Sequence, residues 1–281
     1  MNLKSSKYPI LKAFAPVYEK RVFLNTMIQT QQNCMDKMRV VEEFLRNIVA
    51  ESDFSMCVPA DVFGKIVESD YIKNSIETGT KGSTMGGPEV RIKALKNIYG
   101  VDMDGIAPEE FPKYGILTGQ NKLSDLARDP DIFWHYGAIM LNFKKENLMD
   151  RTTLTVGSSL DFNESLMKTP TPVYDPKSVC IKGYPTQPVP QGTRFFRGLD
   201  FMHHLIMDEQ LSTKNPNMLA IKADDMPGFE NFELQFHGRL QFSRDVKSIT
   251  VFTLKGDEMD IVNRHAQRLK ELGIEVSELF V

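Results

Sequence analysis

The stretch Asn-Phe-Glu-Leu-Gln-Phe-His-Gly occupies residues 231–238 and alternates polar with apolar side chains. Successive side chains of a β-strand point to opposite faces, so this alternation predicts a strand with one apolar and one polar face. The apolar face carries Phe232, Leu234 and Phe236, and the polar face carries Asn231, Glu233, Gln235 and His237. Two interpretations follow. The segment is either a half-buried edge strand whose polar face is exposed to solvent or a strand that presents the Glu233 carboxylate to a cleft.

Composition is that of an ordinary folded protein rather than a disordered or collagen-like one. The chain has 281 residues, of which 41% are hydrophobic and 25% are charged, and it contains no low-complexity tract or short-period repeat. This length allows one large domain or two domains of ordinary size. The formal net charge of -3 gives no basic surface of the kind that binds nucleic acid, so we expect no nucleic-acid partner.

Cysteine usage and the N-terminal segment exclude further classes of protein. Cys34, Cys57 and Cys180 are odd in number and lack the paired spacing of zinc ligands, so we predict neither a disulfide framework nor a metal site. The first 26 residues contain no continuous apolar run, because charged residues and Pro16 interrupt it. We therefore expect no Sec-type signal and no membrane-spanning segment. Export by a specialised secretion machine would leave no such pattern.

Two kinds of periodicity divide the chain near residue 100. Before it, apolar residues recur every three or four positions over Met27–Ile48 and over residues 88–100, which predicts amphipathic helices. After it, β-prone segments dominate around one predicted helix, Asp257–Leu272. The predicted strands are Tyr114–Thr118, Gly137–Phe143, Arg151–Val156, Glu233–Phe236, Ser248–Leu254 and Ile274–Val281. We predict an α+β protein in which a mainly helical region, residues 1–100, precedes a strand-rich domain, residues 101–281.

Four short motifs occur in an order that is typical of one bacterial family. The motifs are Ile76-Glu-Thr-Gly-Thr80, Phe111-Pro-Lys-Tyr-Gly-Ile-Leu117, Arg151-Thr-Thr-Leu-Thr155 followed by Gly157-Ser-Ser159, and Phe232-Glu-Leu-Gln-Phe-His-Gly238. Together they resemble a bacterial family long known as a domain of unknown function and, more broadly, the mono-ADP-ribosyltransferase fold. The resemblance covers about residues 70 to 255. In size and in its helical front part, the chain also resembles secreted bacterial effectors that ADP-ribosylate threonine of host ubiquitin.

The resemblance implies that NAD is the cofactor and that Glu233 is the catalytic carboxylate. In the family pattern this glutamate opens a strand and hydrogen-bonds a hydroxyl of the nicotinamide ribose. Cleaving the bond between nicotinamide and ribose builds positive charge on the ribose, and a fixed carboxylate lowers that barrier. Transferases that modify arginine carry a second acid two positions earlier, where this chain has Asn231. An amide offers a guanidinium neither a base nor a countercharge, so Asn231 favours a hydroxyl or another neutral acceptor.

The other motifs imply contacts with the dinucleotide. Tyr114 and Gly115 stand where the family's first core strand holds the cofactor, which implies a cofactor contact for Tyr114 and a close backbone approach at Gly115. Phe111 replaces an arginine that often binds phosphate in relatives. The charge would then come from Lys113, Arg151 or Arg194.

The candidates for the Ser/Thr-rich strand that braces the glutamate are Arg151, Thr153 and Thr155 on one strand face, or Ser158 and Ser159 in the following turn. Ordinary β-propensity is the alternative explanation of the threonines.

The combined prediction is an NAD-dependent mono-ADP-ribosyltransferase that modifies a host protein, with threonine of ubiquitin as the specific candidate. We expect it to enter the host cell through a specialised secretion system, and we expect the helical region to recognise the target or cover the cleft. Three alternatives stay open: an NAD glycohydrolase toxin that uses water as acceptor, a binding module whose site has decayed, and an adaptor role for the helical half. Transferase and hydrolase share the cofactor site, so these motifs do not separate them.

Overall fold

The computed structural model describes residues 2–31, 49–80, 87–118, 136–156, 187–188, 232–253 and 257–280. Its helices are α1 (Pro9–Gln31), α2 (Ala60–Ser69), α3 (Ser75–Thr78), α4 (Pro88–Tyr99), α5 (Phe242–Asp245), α6 (Asp257–Arg264) and α7 (Ala266–Glu271). Its strands are β1 (Asp53–Val58), β2 (Tyr71–Ile72), β3 (Lys113–Thr118), β4 (Ile139–Phe143), β5 (Thr152–Val156), β6 (Gln187–Pro188), β7 (Phe232–Phe236), β8 (Leu240–Gln241), β9 (Val246–Thr253) and β10 (Glu275–Phe280). Short 3-10 turns occupy Leu3–Ser5, Pro108–Glu110, Lys145–Asn147 and Met149–Arg151. The predicted α+β class is confirmed, and the six predicted strands correspond to β3, β4, β5, β7, β9 and β10.

Eight of the described strands form one mixed sheet in the order β10-β9-β4-β1-β3-β7-β5-β6, and β2 pairs separately with β8. Strand β10 runs parallel to β9, whereas the other pairs are antiparallel. Strand β7 therefore lies inside the sheet, paired with β3 on one side and with β5 on the other. The interpretation of residues 231–238 as an edge strand whose polar face is exposed to solvent is wrong, because the polar residues Gln235 and His237 have no exposed surface.

One face of the sheet carries the main hydrophobic core, against which α2, α6 and α7 pack. Leu234 and Phe236 of β7 are fully buried in this core, as the alternation of the strand predicts. The ring of Phe236 packs against Phe54 of β1 and Phe143 of β4, with centroid distances of 6.1 and 5.1 Å. Because side chains alternate across a strand, this anchoring directs Glu233, Gln235 and the residues paired with them to the opposite face.

Helices α1 and α4 pack against the opposite face of the sheet through a second apolar cluster. Tyr99, the last residue of α4, is fully buried and packs edge-to-face on Phe14 of α1, with ring centroids 5.2 Å apart. Tyr114 of β3 is partly buried against the same cluster. The N-terminal helices therefore lie over the part of the sheet that contains β3, β7 and β5.

Strand β1 is a strand within the first hundred residues, which were predicted to be mainly helical. It lies between β3 and β4, in the middle of the sheet. Its sequence has no clear alternation because both of its faces are buried: Phe54 enters the main core, and Ser55 lies on the opposite face. The Ser55 hydroxyl hydrogen-bonds Thr118 at 2.6 Å and Asn142 at 2.8 Å. This part of the predicted helical region belongs to the sheet, while the functional role expected of the helices stays a prediction.

The helical predictions are otherwise met where the structure describes them. The helix predicted to end at Gly100 is α4, and Gly100 adopts the left-handed conformation (φ 66°) that is common just after a helix. The helix predicted at Asp257–Leu272 is divided at His265 into α6 and α7. Residues 27–31 of the helix predicted at Met27–Ile48 continue α1, and the rest of that helix lies outside the described residues. None of the described helices is long and apolar enough to cross a membrane.

Candidate active site

Glu233 is the partly exposed carboxylate of the candidate site, on the sheet face opposite the main core. In the strand register it stands between Ile116 of β3 and Thr155 of β5. Gln235 lies two residues further along the same face and donates from Nε2 to Glu233 Oε1 at 2.7 Å. The carboxylate is thus held by a buried amide while part of the glutamate side chain stays accessible.

A fully buried threonine orients Gln235 in turn. Thr153 of β5 lies directly across from Gln235, and its hydroxyl donates to Gln235 Oε1 at 2.8 Å. Neither side chain has exposed surface. The Ser/Thr-rich strand was expected to brace the glutamate. In the structure the amide of Gln235 lies between Thr153 and Glu233 and hydrogen-bonds both.

Two more buried residues continue this series of polar groups. The hydroxyl of Tyr99 lies 3.0 Å from Thr153 Oγ1 and 2.9 Å from His237 Nε2, and that nitrogen lies 3.3 Å from Thr153 Oγ1. Burial, together with the charges of Lys113 and Arg151, lowers the pKa of His237 to about 3, so its ring is neutral near pH 7. We call the connected series the polar row; its members are His237, Tyr99, Thr153, Gln235 and Glu233. The polar row runs from a fully buried imidazole to a partly exposed carboxylate.

Gly115 has a packing role that the sequence did not reveal. A Cβ atom at this position would lie 2.4 Å from the Ser55 carbonyl oxygen and 2.6 Å from Phe236 Cε2. The missing side chain therefore lets β3 fit between β1 and the ring of Phe236, on the core face of the sheet. Tyr114 faces the other way, beneath the Arg91 guanidinium, whose Cζ is 4.9 Å from the ring centroid. A contact between Tyr114 and the cofactor stays a prediction.

Arg151 has a structural role, which corrects its assignment to the cofactor phosphates. Its guanidinium donates from Nη2 to Asp245 Oδ2 at 2.8 Å and from Nη1 to the Arg239 carbonyl at 2.7 Å. The residue is only 3% exposed. Asp245 is fully buried and also receives the guanidinium of Arg244 at 2.7 Å. A guanidinium held in this way is committed to the fold, because leaving its carboxylate partner unpaired in the interior would be costly.

Lys113 is likewise buried rather than available to a phosphate. Its ammonium group donates to the carbonyls of Glu109 and Gly238 at 2.6 and 3.0 Å and pairs with Glu77 Oε2 at 3.5 Å. Burial lowers the pKa of Lys113, and the charge of Glu77 opposes that shift. Glu77 also completes a capping box with Asn74 at the start of α3. Two of the four sequence motifs therefore meet in one buried ion pair.

Comparisons with known proteins add a distant structural likeness. No protein-family model matches the chain, and no curated protein matches it. Solved structures that are similar to it include three complexes of one bacterial protein. All three are DarT from Thermus sp. 2.9, each 9% identical to this chain and covered over 95% of its own length. The complex with NAD+ has a TM-score of 0.37 over 80% of this chain, the complex with carba-NAD+ 0.36 over 81%, and the complex with ADP-ribosylated single-stranded DNA 0.39 over 82%.

The remaining site predictions concern residues that the structure does not describe. Asn231, Ser158 and Arg194 lie outside the described residues, and Thr155 is described only through its backbone pairing with Glu233. Tyr99 is the site residue that sequence reasoning missed, because a tyrosine at the end of an amphipathic helix is usually a core residue. Within the described ranges, no cluster of three or more His, Cys, Asp or Glu side chains could hold a metal ion.

Proposed function

We propose that this chain is an NAD-dependent mono-ADP-ribosyltransferase in which Glu233 stabilises the ribose cation as nicotinamide leaves. The observation that carries the proposal is the position of Glu233, a partly exposed carboxylate held at 2.7 Å by the buried amide of Gln235. A carboxylate fixed in this way keeps its orientation while charge develops on a substrate beside it. Its place on an interior strand, paired on both sides, limits its movement further.

The reaction explains why a carboxylate is needed. NAD supplies a glycosidic bond whose two electrons leave with nicotinamide, so that the ribose carbon becomes electron-poor. Glu233 accepts a hydrogen bond from a ribose hydroxyl and opposes the positive charge. A hydroxyl of the acceptor then forms the new bond to the ribose carbon and gives its proton to solvent water.

The described residues fit the ribose end of NAD better than its diphosphate. Glu233 is an acceptor for a ribose hydroxyl, whereas the cations Lys113 and Arg151 are buried in ion pairs. Of the three cations that the sequence offered, Arg194 is therefore the one we propose for the diphosphate. We propose Tyr114, Thr155 and Ser158 for the other cofactor contacts.

The proposed acceptor is a host protein hydroxyl, with threonine of ubiquitin as the specific candidate. Two features support this choice. Asn231 stands where arginine-modifying relatives carry an acid, and the helical front resembles that of the ubiquitin-modifying effectors. In this proposal the protein reaches its target through a specialised secretion system.

Nicotinamide release and label transfer from adenine-labelled NAD test this function. The reactions contain the full chain with buffer alone, ubiquitin, host lysate or single-stranded DNA. We compare wild type with Glu233→Gln and with Glu275→Gln, which makes the same change on the exposed strand β10. We expect nicotinamide release by wild type and Glu275→Gln, a loss of about 10²-fold or more in Glu233→Gln, and label on ubiquitin or another protein.

The other outcomes separate the alternatives. Free ADP-ribose without a labelled acceptor supports the NAD glycohydrolase, and label on DNA contradicts the proposed protein acceptor. If wild type turns over no NAD in any arm, the enzymatic proposal is wrong and a binding module takes its place.

A further inference from the structure

The carboxylate at one end of the polar row fixes the orientation of the amide beside it. An ionised carboxylate only accepts hydrogen bonds, so the group of Gln235 that lies 2.7 Å from Glu233 Oε1 is its NH₂ group. With the amide nitrogen directed at Glu233, the amide oxygen faces Thr153. The contact with the Glu233 carboxylate therefore determines which way round the Gln235 amide is placed.

The same reasoning assigns donor and acceptor roles to the hydroxyl groups of Thr153 and Tyr99. An amide oxygen only accepts, so the single proton of the Thr153 hydroxyl is donated to Gln235 at 2.8 Å. The Thr153 oxygen is then an acceptor for the Tyr99 hydroxyl, 3.0 Å away. The proton of Tyr99 is used in that bond, so its oxygen accepts from His237 Nε2 at 2.9 Å. The same nitrogen also lies 3.3 Å from Thr153 Oγ1, which is an acceptor in this scheme, so a proton on Nε2 satisfies both contacts.

The geometry at His237 agrees with this direction. A neutral imidazole carries its proton on one nitrogen only. A proton on Nε2 satisfies Tyr99, whereas a proton on Nδ1 would bury a donor that has no partner among the described residues. The backbone N–H of His237, which donates to the Arg151 carbonyl at 2.8 Å, holds the residue in place.

We propose that the polar row is a single directed chain of hydrogen bonds, His237 to Tyr99 to Thr153 to Gln235 to Glu233, that positions the Glu233 carboxylate. Tyr99 and Thr153 are then positioning residues, and α4 contributes to the site through Tyr99 although it belongs to the N-terminal helices. The effect on catalysis rests on the function proposed above. The direction of the chain does not, because it follows from the contacts alone.

The tautomer of His237 tests the direction of the chain without any activity. We would record ¹⁵N chemical shifts of the histidine ring nitrogens in the full-length protein near pH 7 and assign the His237 signals with His237→Gln. The chain predicts a protonated Nε2 and an unprotonated Nδ1. A proton on Nδ1 would reverse the bond to Tyr99 and overturn the proposal.

A matched pair of variants tests positioning. Thr153→Val keeps the shape of the side chain and removes the hydroxyl, whereas Thr153→Ser keeps the hydroxyl. We expect kcat for nicotinamide release to fall about ten-fold or more in Thr153→Val, with KM for NAD within about two-fold of wild type, and to recover largely in Thr153→Ser. Tyr99→Phe should behave like Thr153→Val, while Tyr136→Phe, at an exposed tyrosine, should keep the wild-type kcat.

The two proposals fail in different ways. An active wild type with unchanged kcat in Thr153→Val and Tyr99→Phe would refute positioning and leave the transferase function standing. A wild type without NAD turnover would refute the function, and the His237 tautomer would still decide the direction of the chain. Thermal unfolding of each variant shows whether a loss of kcat comes from unfolding. If Thr153→Val does not fold, the comparison of folded Tyr99→Phe with Thr153→Ser decides whether positioning is correct.

Discussion

Arg151 and Asp245 form an ion pair inside the protein, with Nη2 and Oδ2 2.8 Å apart and side chains only 4% and 0% exposed. The pair joins the 3-10 turn before β5 to the end of α5, and the Gln241 backbone N–H donates to the same Asp245 oxygen at 2.8 Å. Removing one partner of a buried pair leaves the other charge without compensation, which is the costly change for such a site.

We expect Asp245→Ala to lower the free energy of unfolding by about 3–5 kcal/mol, because it leaves Arg151 buried and unpaired. The matched control is Asp61→Ala, which breaks an exposed pair with Lys65 whose side chains are 72% and 75% exposed. Exposed pairs contribute at most about 1 kcal/mol. Urea unfolding of both variants measures the difference, and equal losses would contradict the structural role given to Arg151.

The second prediction concerns pH and His237. Its pKa is lowered from 6.5 to about 3 by burial first and by Lys113 and Arg151 in addition. In the unfolded chain this histidine takes up a proton below about pH 6.5, while the folded protein resists protonation until about pH 3. His237 therefore makes the folded state less stable as the pH falls through this range.

We expect His237→Gln to flatten the dependence of unfolding free energy on pH between about pH 6.5 and 4. The measurement is urea unfolding of wild type and variant at several pH values in that range. Parallel curves for the two proteins would show that His237 does not become protonated on unfolding. That result would contradict its full burial in the folded protein.

The third prediction is that Gly115→Ala destabilises the sheet. The new methyl group would meet the Ser55 carbonyl oxygen at 2.4 Å and Phe236 Cε2 at 2.6 Å, so strands must shift. Overpacking of this kind costs about 1–3 kcal/mol or more. Gly64→Ala is the control, because Gly64 lies inside α2 and its Cβ would lie 3.4 Å from His265 Nε2, an ordinary van der Waals distance. We expect the control to be neutral or stabilising by up to about 1 kcal/mol. Thermal unfolding of the two variants shows which one is destabilised.

The fourth prediction concerns the acceptor and rests on the proposed transferase. Asn231→Glu restores the acid that arginine-modifying relatives carry, so NAD hydrolysis should persist or rise while transfer to the native acceptor falls. Assays of free and protein-bound ADP-ribose from labelled NAD measure both reactions. Unchanged transfer would mean that Asn231 does not contact the acceptor.

Local sequence patterns predicted much of the fold because they record which side of an element is buried. The alternation at residues 231–238 gave strand β7 and its buried Leu234 and Phe236 correctly. The spacing of apolar residues after residue 88 predicted α4, and Gly100 predicted where that helix ends. The pattern failed at β1, because a strand buried on both faces loses the alternation by which strands are recognised.

The site was predicted only in part because its residues contact partners that are far away in the sequence. Arg151 has the residue type of a phosphate ligand, and nothing near it in sequence indicates that Asp245 neutralises it. Tyr99 lies 138 positions before His237 and 54 before Thr153, so their hydrogen bonds exist only once α4 has packed on the sheet. Such long-range contacts have no local sequence signal.

The sequence by itself determined that this is an α+β protein and that Glu233 lies on the polar face of a strand, since both follow from local periodicity. Only the tertiary structure decided that Gln235 and His237 of this face are buried while Glu233 stays partly exposed. It also decided that Arg151 and Lys113 are held in ion pairs and that the Glu233 carboxylate ends a row of hydrogen bonds. The physical reason is that burial and charge pairing depend on which distant segments come together, and the strand order sets this rather than the composition of any one segment.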